Sequence, residues 1–196
     1  AELGYTDDQR LYVCAQNLMK LHPDFDDILN GILQRDPAAT IVLVESKTSR
    51  QAKRLRERFA TTLYGNADRI QFRPRMEFDE YLSLLSVANV ALDPLYYGSG
   101  ITAYEIFCCG VPLVTLPTQF RRGRFVAACY DKIGLMDCVA FSAEDYVRIA
   151  CSIAESPQNR AAISETIRAN SDRLFCDEAA VTEFERALHV MLGNNP

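Results

Sequence analysis

Asn89-Val90-Ala91-Leu92-Asp93-Pro94-Leu95-Tyr96-Tyr97-Gly98-Ser99-Gly100-Ile101-Thr102-Ala103-Tyr104-Glu105 is the stretch on which the fold turns. Its apolar start reads as a buried strand that Asp93-Pro94 ends, and a loop with two glycines runs straight into a helix-forming segment. Strand, glycine loop and helix form the repeating unit of parallel α/β sheets, with the loop at the carboxyl edge where ligands bind. Glycines Gly98 and Gly100 let the backbone turn tightly and bring N–H groups close to a ligand. The helix start adds unpaired N–H donors and the positive end of its dipole, which together make a cradle for a diphosphate. Ser99 and Ile101 belong to the same cradle, Thr102 adds a hydroxyl donor, and Glu105 offers a carboxylate suited to both hydroxyls of a ribose. On spacing alone the same residues also suit a plain tight turn before a helix with an acidic first turn. The nicotinamide fingerprint GxGxxG is excluded, because it would follow the first strand and no glycine occurs there before Gly31.

Outward from this stretch, short apolar runs alternate with segments of helical period. Upstream, Leu11-Tyr12-Val13-Cys14-Ala15 reads as the first strand, and 23–34 as a helix with Phe25, Ile28, Leu29 and Ile32 on its buried side. Thr40-Ile41-Val42-Leu43-Val44 is too continuously apolar to have a wet face. A charged helix over 49–64, a strand over 69–72 and a short helix over 80–86 complete that side. Downstream, the helix 101–109 ends at Gly110, and strands at 112–116 and 138–140 flank a helix over 124–133. Helices over 143–154, 157–170 and 178–192 finish the chain. The pattern predicts an α/β fold, a doubly wound Rossmann-like parallel sheet of six strands. It is one domain, 1–196, with the last helices, about 157–193, packing back on it.

Composition narrows the function. The chain has 196 residues, 21 basic and 26 acidic side chains, a net charge of -5 and 48% hydrophobic residues, as an ordinary globular domain does. No apolar run approaches the roughly 20 residues of a membrane helix, so no span is expected. A pI near 5.1 argues against a nucleic-acid partner. Seventeen of the 21 basic residues are Arg, the side chain suited to carboxylate and phosphate. The seven Cys lack CxxC spacing and only two His are present, so no metal site is expected, and buried reduced thiols point to the cytoplasm. The chain starts at Ala1 rather than Met, and we read it as part of something larger.

The run from Ala88 to Leu116, ANVALDPLYYGSGITAYEIFCCGVPLVTL, resembles the donor-binding core of GT-B glycosyltransferases, and most closely the O-GlcNAc transferase/SPINDLY family. The shared elements are an Asp-Pro strand end, a glycine loop, a Thr-bearing helix start and the Gly-x-Pro-hydrophobic strand Gly110-Val111-Pro112-Leu113-Val114. The resemblance reaches back to the first strand and forward through Arg124-Phe125-Val126-Ala127-Ala128. It implies the C-terminal, donor-binding half of a GT-B fold, with an N-terminal half and possible tetratricopeptide repeats elsewhere in the same protein. It also implies a nucleotide-sugar donor, by default UDP-GlcNAc, a protein or peptide acceptor, and no cofactor or metal. GDP-fucose and UDP-glucose are the donors of neighbouring groups.

The same resemblance implies roles for single residues. Lys20 matches the lysine that contacts the donor diphosphate and stabilises the departing nucleotide, a role that a fixed cation suits because charge develops on the leaving oxygen. Asn17 falls where the family has a glutamine contacting the donor, and Gln16 lies one place earlier; either can serve. Thr102 matches a phosphate-binding threonine, and Arg124 a recurring arginine. Departures are Gly100 for a histidine, Ile101 for a hydroxyl residue and Glu105 for an aspartate that holds the ribose. In the base-binding loop, Arg75-Met76-Glu77-Phe78-Asp79-Glu80-Tyr81, the contacts fall to Met76, Phe78 and Tyr81, with Phe78 and Tyr81 replacing Lys and His.

Three readings therefore stand beside one another. The first is the donor half of a glycosyltransferase, which as an isolated chain binds nucleotide weakly and transfers nothing. The second is a nucleotide-binding or interaction module that kept the fold without the chemistry, motivated by the substitutions at Gly100, Phe78 and Tyr81. The third, a nucleotide-sugar epimerase, shares the GT-B fold but lacks that group's other carboxylates here. The basic turn Phe120-Arg121-Arg122-Gly123-Arg124-Phe125 lies on the ligand side and suits a diphosphate, an acceptor or solvent; His22 is not expected to act as a base and His189 is structural.

Overall fold

Strands β1 (Arg10–Cys14), β2 (Ala39–Val44), β3 (Ile70–Arg73), β4 (Val90–Leu92) and β5 (Leu113–Val114) pair in parallel in the order β3-β2-β1-β4-β5. They are seen in a computed structural model that describes residues 4–6, 9–45, 49–175 and 177–193. Register is fixed at the centre, where Val13 of β1 stands between Val42 of β2 and Ala91 of β4. All three side chains are fully buried, as a strand covered on both faces requires. The strand order reverses between β1 and β4. The loops leaving the carboxyl ends of these two neighbours therefore splay apart and leave a crevice, the place where open α/β sheets bind ligands.

Helices α1 (Asp24–Arg35), α2 (Ser49–Thr62), α3 (Phe78–Ser86), α4 (Ile101–Cys108), α5 (Phe125–Ile133), α6 (Ala143–Glu155), α7 (Pro157–Asn170), α8 (Asp172–Phe175) and α9 (Glu178–Met191) flank the sheet. Their ends follow from local chemistry. Ser142 and Ser156 accept hydrogen bonds from the backbone N–H groups of Asp145 and Asn159, capping α6 and α7, and Pro157 opens α7. Gly110, at φ 68°, turns the chain out of α4 in the left-handed region that favours glycine. At Gly31, α1 comes so close to α6 that a Cβ would lie 2.9 Å from Val147 Cγ2. Among the described residues, no helix is long and apolar enough to cross a membrane.

Two expectations from sequence change. The sixth strand, 138–140, is an isolated parallel bridge between Thr115 and Val139: Thr115 N–H donates to Cys138 at 3.0 Å and Ala140 N–H to Thr115 at 2.8 Å. The segment stops there because Ser142 is already the cap of α6, which leaves no length for a ladder. The closing helices divide in their behaviour. α7 buries Ile163, Ser164 and Ile167, whereas α9 buries none of its residues. An ion pair from Lys132 of α5 to Asp177 ties down the start of α9.

At the amino edge of the sheet, Asp36 is fully buried and accepts from Arg10 Nε at 2.7 Å, Tyr12 Oη at 2.7 Å and Ala38 N at 2.9 Å, with a second Arg10 contact through Nη2. Burial pushes this carboxyl up, but the bonds from Arg10, Tyr12 and Ala38 outweigh it and hold the pKa below the ordinary value. A depressed carboxylate contributes stability above its unfolded pKa of about 4 and loses it as pH falls through the lower folded value. Asp36→Asn should therefore cost about 3 kcal/mol in urea unfolding at neutral pH. The wild type should lose stability on acidification below about pH 4 more steeply than the variant. Equal acid slopes would show that Asp36 is not the group responsible.

Candidate functional site

The crevice takes its shape from Asp93, the residue that follows β4. Its side chain is buried, and its Oδ1 accepts from Ser99 N at 2.6 Å and Ser99 Oγ at 2.8 Å. Thr115 Oγ1 donates to its Oδ2 at 2.7 Å. Burial pushes the Asp93 carboxyl above its ordinary pKa, against the pull of the Thr115 and Ser99 bonds and of the charge on Lys20. The loop thus curls round a carboxylate, and Gly98 lies against it: a Cβ there would stand 2.8 Å from Asp93 Oδ2. Gly98 N–H donates to Arg122 O at 2.8 Å. With the amides of Gly98 and Ser99 both committed inside the protein, those of Gly100, Ile101 and Thr102 remain at the start of α4. The helix supplies no acceptors for them.

The opposite wall comes from the segment after β1. Asn17 Oδ1 accepts from Met19 N at 3.0 Å and caps a single 3-10 turn, Leu18–Lys20. That turn delivers Lys20 to the crevice. Lys20 Nζ donates to Gly98 O at 3.1 Å and to Gln16 Oε1 at 2.8 Å, and it lies 4.7 Å from the centre of the Tyr97 ring. An antiparallel bridge from Leu21 to Tyr96 joins the two loops. Burial pushes the Lys20 pKa down from its ordinary value, while Asp93 pulls it up. Two of its three N–H donors are used. Gln16 is 3% exposed, and its Nε2 has no hydrogen-bond partner among the described residues.

Lys20, Gly98, Ser99, Gly100, Ile101 and Thr102, all expected from sequence, border one cavity of about 650 Å³, together with Tyr97, Phe120, Arg121, Arg122 and Phe125. A second cavity of about 470 Å³ shares Lys20, Tyr97 and Arg122 and adds Asn17, Met19, His22 and Tyr96. Ser99 borders the first cavity, yet its amide and hydroxyl both donate to Asp93, so it shapes the loop. Asn17 and Gln16 both have their carbonyl oxygens committed, to Met19 N and Lys20 Nζ, and of the two Asn17 borders a cavity. Gln16, Met76, Phe78, Tyr81 and Glu105 lie off both cavities. Tyr81 Oη donates to Glu105 Oε2 at 3.1 Å, so the hydroxyl of this expected base contact orients the expected ribose ligand. Phe78 is 58% exposed and tilted against Tyr81 at 6.3 Å, while Met76 packs partly into the core.

Sequence reasoning gave no site role to Asp93 or Tyr97 and took Phe120 and Phe125 only as the ends of a basic turn. An aspartate immediately after a buried strand was a usable signal for the first; the others become neighbours only through the fold. His22 Nδ1 lies 3.3 Å from both Asp24 N and Asp24 Oδ1, and its ring meets Tyr96 edge-on. Among the described residues, no group of three or more His, Cys, Asp or Glu is placed to hold a metal ion. Burial pushes the thiols of Cys14 and Cys138 up to about 12, which leaves them protonated and unreactive at neutral pH.

Comparison with known proteins gives the same direction. Residues 1–179 match the family described as glycosyl transferase family 41. The chain is 25% identical over 178 residues to the probable UDP-N-acetylglucosamine–peptide N-acetylglucosaminyltransferase SEC of Arabidopsis thaliana, covering 90% of this chain and 18% of that protein. Its fold superposes on an O-GlcNAc transferase mutant from Thermobaculum terrenum with a TM-score of 0.84 at 24% identity, covering 95% of this chain and 36% of that one. It also superposes on Anabaena HepE in complex with UDP and glucose, with a TM-score of 0.65 at 16% identity over 93% and 49% of the two chains. The chain thus spans about a fifth of the plant relative and about a third of the bacterial transferase, and the fold is that of GT-B glycosyltransferases.

The two loop glycines should respond differently to a methyl group. Gly98→Ala meets the Asp93 carboxylate and should cost about 1–3 kcal/mol in urea or thermal unfolding. Gly100→Ala has nothing within 4 Å of the added carbon and should stay within about 0.5 kcal/mol of wild type. Equal losses at both positions would contradict this packing of the loop.

Proposed function

The chain belongs to glycosyl transferase family 41, and from that premise we propose that it binds the nucleotide-sugar donor of a glycosyltransferase. The observation that carries this reading is the convergence, in the crevice between β1 and β4, of two kinds of donor. These are the Lys20 ammonium and the N–H groups that open α4. Such an array suits a diphosphate, and it suits best the moment when the sugar leaves. As the bond between the sugar and the phosphate oxygen breaks, negative charge grows on that oxygen. Donors already fixed in a partly dry site stabilise the developing charge without reorganising. In this role Lys20 is the catalytic residue, and Gln16, whose carbonyl oxygen accepts from its ammonium, positions it. Thr102 Oγ1 is a phosphate contact. Glu105, oriented by Tyr81, takes the ribose hydroxyls, and Phe78 offers an exposed ring to the base. The likeness to SEC and to the UDP-bound HepE supports a UDP-sugar, by default UDP-GlcNAc, with a protein or peptide acceptor. The acceptor groove and general base belong to an N-terminal GT-B half. The paired-up thiols expected of an oxidising compartment are lacking at the six described cysteines, which supports a cytoplasmic setting.

Titration with UDP tests the reading directly: saturable binding, unchanged by EDTA, is expected, and no saturable binding would return the chain to a domain that kept only the fold. Lys20 must be protonated to hold the diphosphate. Because its pKa is lowered, affinity should fall with rising pH earlier than an ordinary lysine would dictate, and Lys20→Met should lack that limb. In the protein bearing both GT-B halves, Lys20→Ala should reduce kcat by about 10²–10³-fold. Glu105→Ala should instead weaken donor binding about tenfold, worth about 1.4 kcal/mol. Unchanged kinetics in both variants would refute these assignments.

A further inference from the structure

We infer that the turn Arg121-Arg122 is a second anion-binding wall of this site, its guanidinium groups holding the sugar-bearing phosphate of the donor in the cavity that Lys20 also borders. The inference rests on the donor-binding reading above and adds residues that reading does not use. Arg121–Gly123 is a single 3-10 turn beyond β5. Its backbone is fastened to the glycine loop: Gly98 N–H donates to Arg122 O at 2.8 Å, and Thr118 N–H donates to Gly123 O at 3.0 Å. Gly123 is buried so tightly that a Cβ would collide with Thr118 Oγ1 and come within 3.1 Å of Tyr96 O. The two arginines are therefore carried by a turn whose place beside the cradle is fixed. Arg122 also lies over the Phe120 ring, 4.7 Å from its centre, a contact that restricts a long side chain.

The charges around this cavity are unbalanced. Arg10, Arg56, Arg58 and Arg148 all pair with carboxylates. Neither Arg121 nor Arg122 has a carboxylate partner among the described residues, and both border the 650 Å³ cavity together with Lys20. Three cations gathered around one cavity repel one another in a protein whose net charge is -5. A diphosphate relieves that repulsion, and guanidinium groups match its paired oxygens. Arg122 also borders the adjoining 470 Å³ cavity, again together with Lys20.

The test is titration of the full chain with UDP, UMP and uridine, comparing wild type with Arg121→Ala, Arg122→Ala and the double variant. Both side chains are exposed, so the variants should fold, and a thermal melt checks this. The double variant should bind UDP about tenfold more weakly and UMP less affected, with uridine unchanged. Arg122→Lys should recover part of the loss in the single variant. UDP affinity equal to wild type in the double variant would overturn the inference and leave the donor reading standing. Equal weakening for all three ligands would also overturn it, because the turn would then merely prop the loop. Failure of the wild type to bind UDP would instead sink the donor reading, and this inference with it.

Discussion

The carboxylate of Asp93 sits fully buried at the end of β4, where leaving it unpaired would be costly, and its three hydrogen bonds from Ser99 and Thr115 determine how the chain leaves the sheet. Satisfying the carboxylate draws Ser99 inward, presses Gly98 against its oxygens and ties the loop to the residue after β5. Gly98 then turns its carbonyl to Lys20 and its amide to Arg122, so the same loop positions the lysine and the basic turn. The helix start that follows has no freedom to point elsewhere. One buried charge thus organises three separate loops at the carboxyl edge of the sheet.

A second buried carboxylate, Asp36, does a different job at the amino edge. It is matched by a nearby guanidinium, a tyrosine hydroxyl and a backbone amide, and its pKa is depressed. Asp93 faces neutral donors, with Lys20 as the nearby positive charge, and its pKa is raised. The contrast separates a group that stabilises the fold from one whose burial is tolerated because it shapes a site. It also shows how an acidic protein suits an anionic ligand: the net charge is a sum over the surface, whereas the crevice gathers Lys20, helix-end amides and two arginines without a carboxylate partner among the described residues.

Much of this was legible in the sequence, for identifiable reasons. Continuous apolar runs gave β1 and β2 because both faces of those strands are covered, and strand, glycine loop and helix placed the site. The segment 138–140 misled because three apolar residues look alike in a strand and in a bridge; the cap at Ser142 decides between them. Gln16 and Asn17 were indistinguishable as sequence neighbours, and only the 3-10 turn shows that Asn17 caps it while Gln16 accepts from Lys20. Ser99 looked like a ligand contact because its partner, Asp93, lies six residues earlier across a turn that no periodicity reports. Tyr81 was read from its ring, while its hydroxyl contacts a residue 24 positions away. Local pattern carries strands, helices and caps; partner choice across loops does not.

The most direct measurement is amide NMR of the ¹⁵N-labelled chain during titration with UDP. Saturable, coincident shifts at the backbone amides of Gly100, Ile101 and Thr102 and at the side-chain amide of Gln16 are the expected result. Binding whose shifts fall elsewhere, with those four amides unmoved, would contradict a diphosphate held at the β1–β4 crevice.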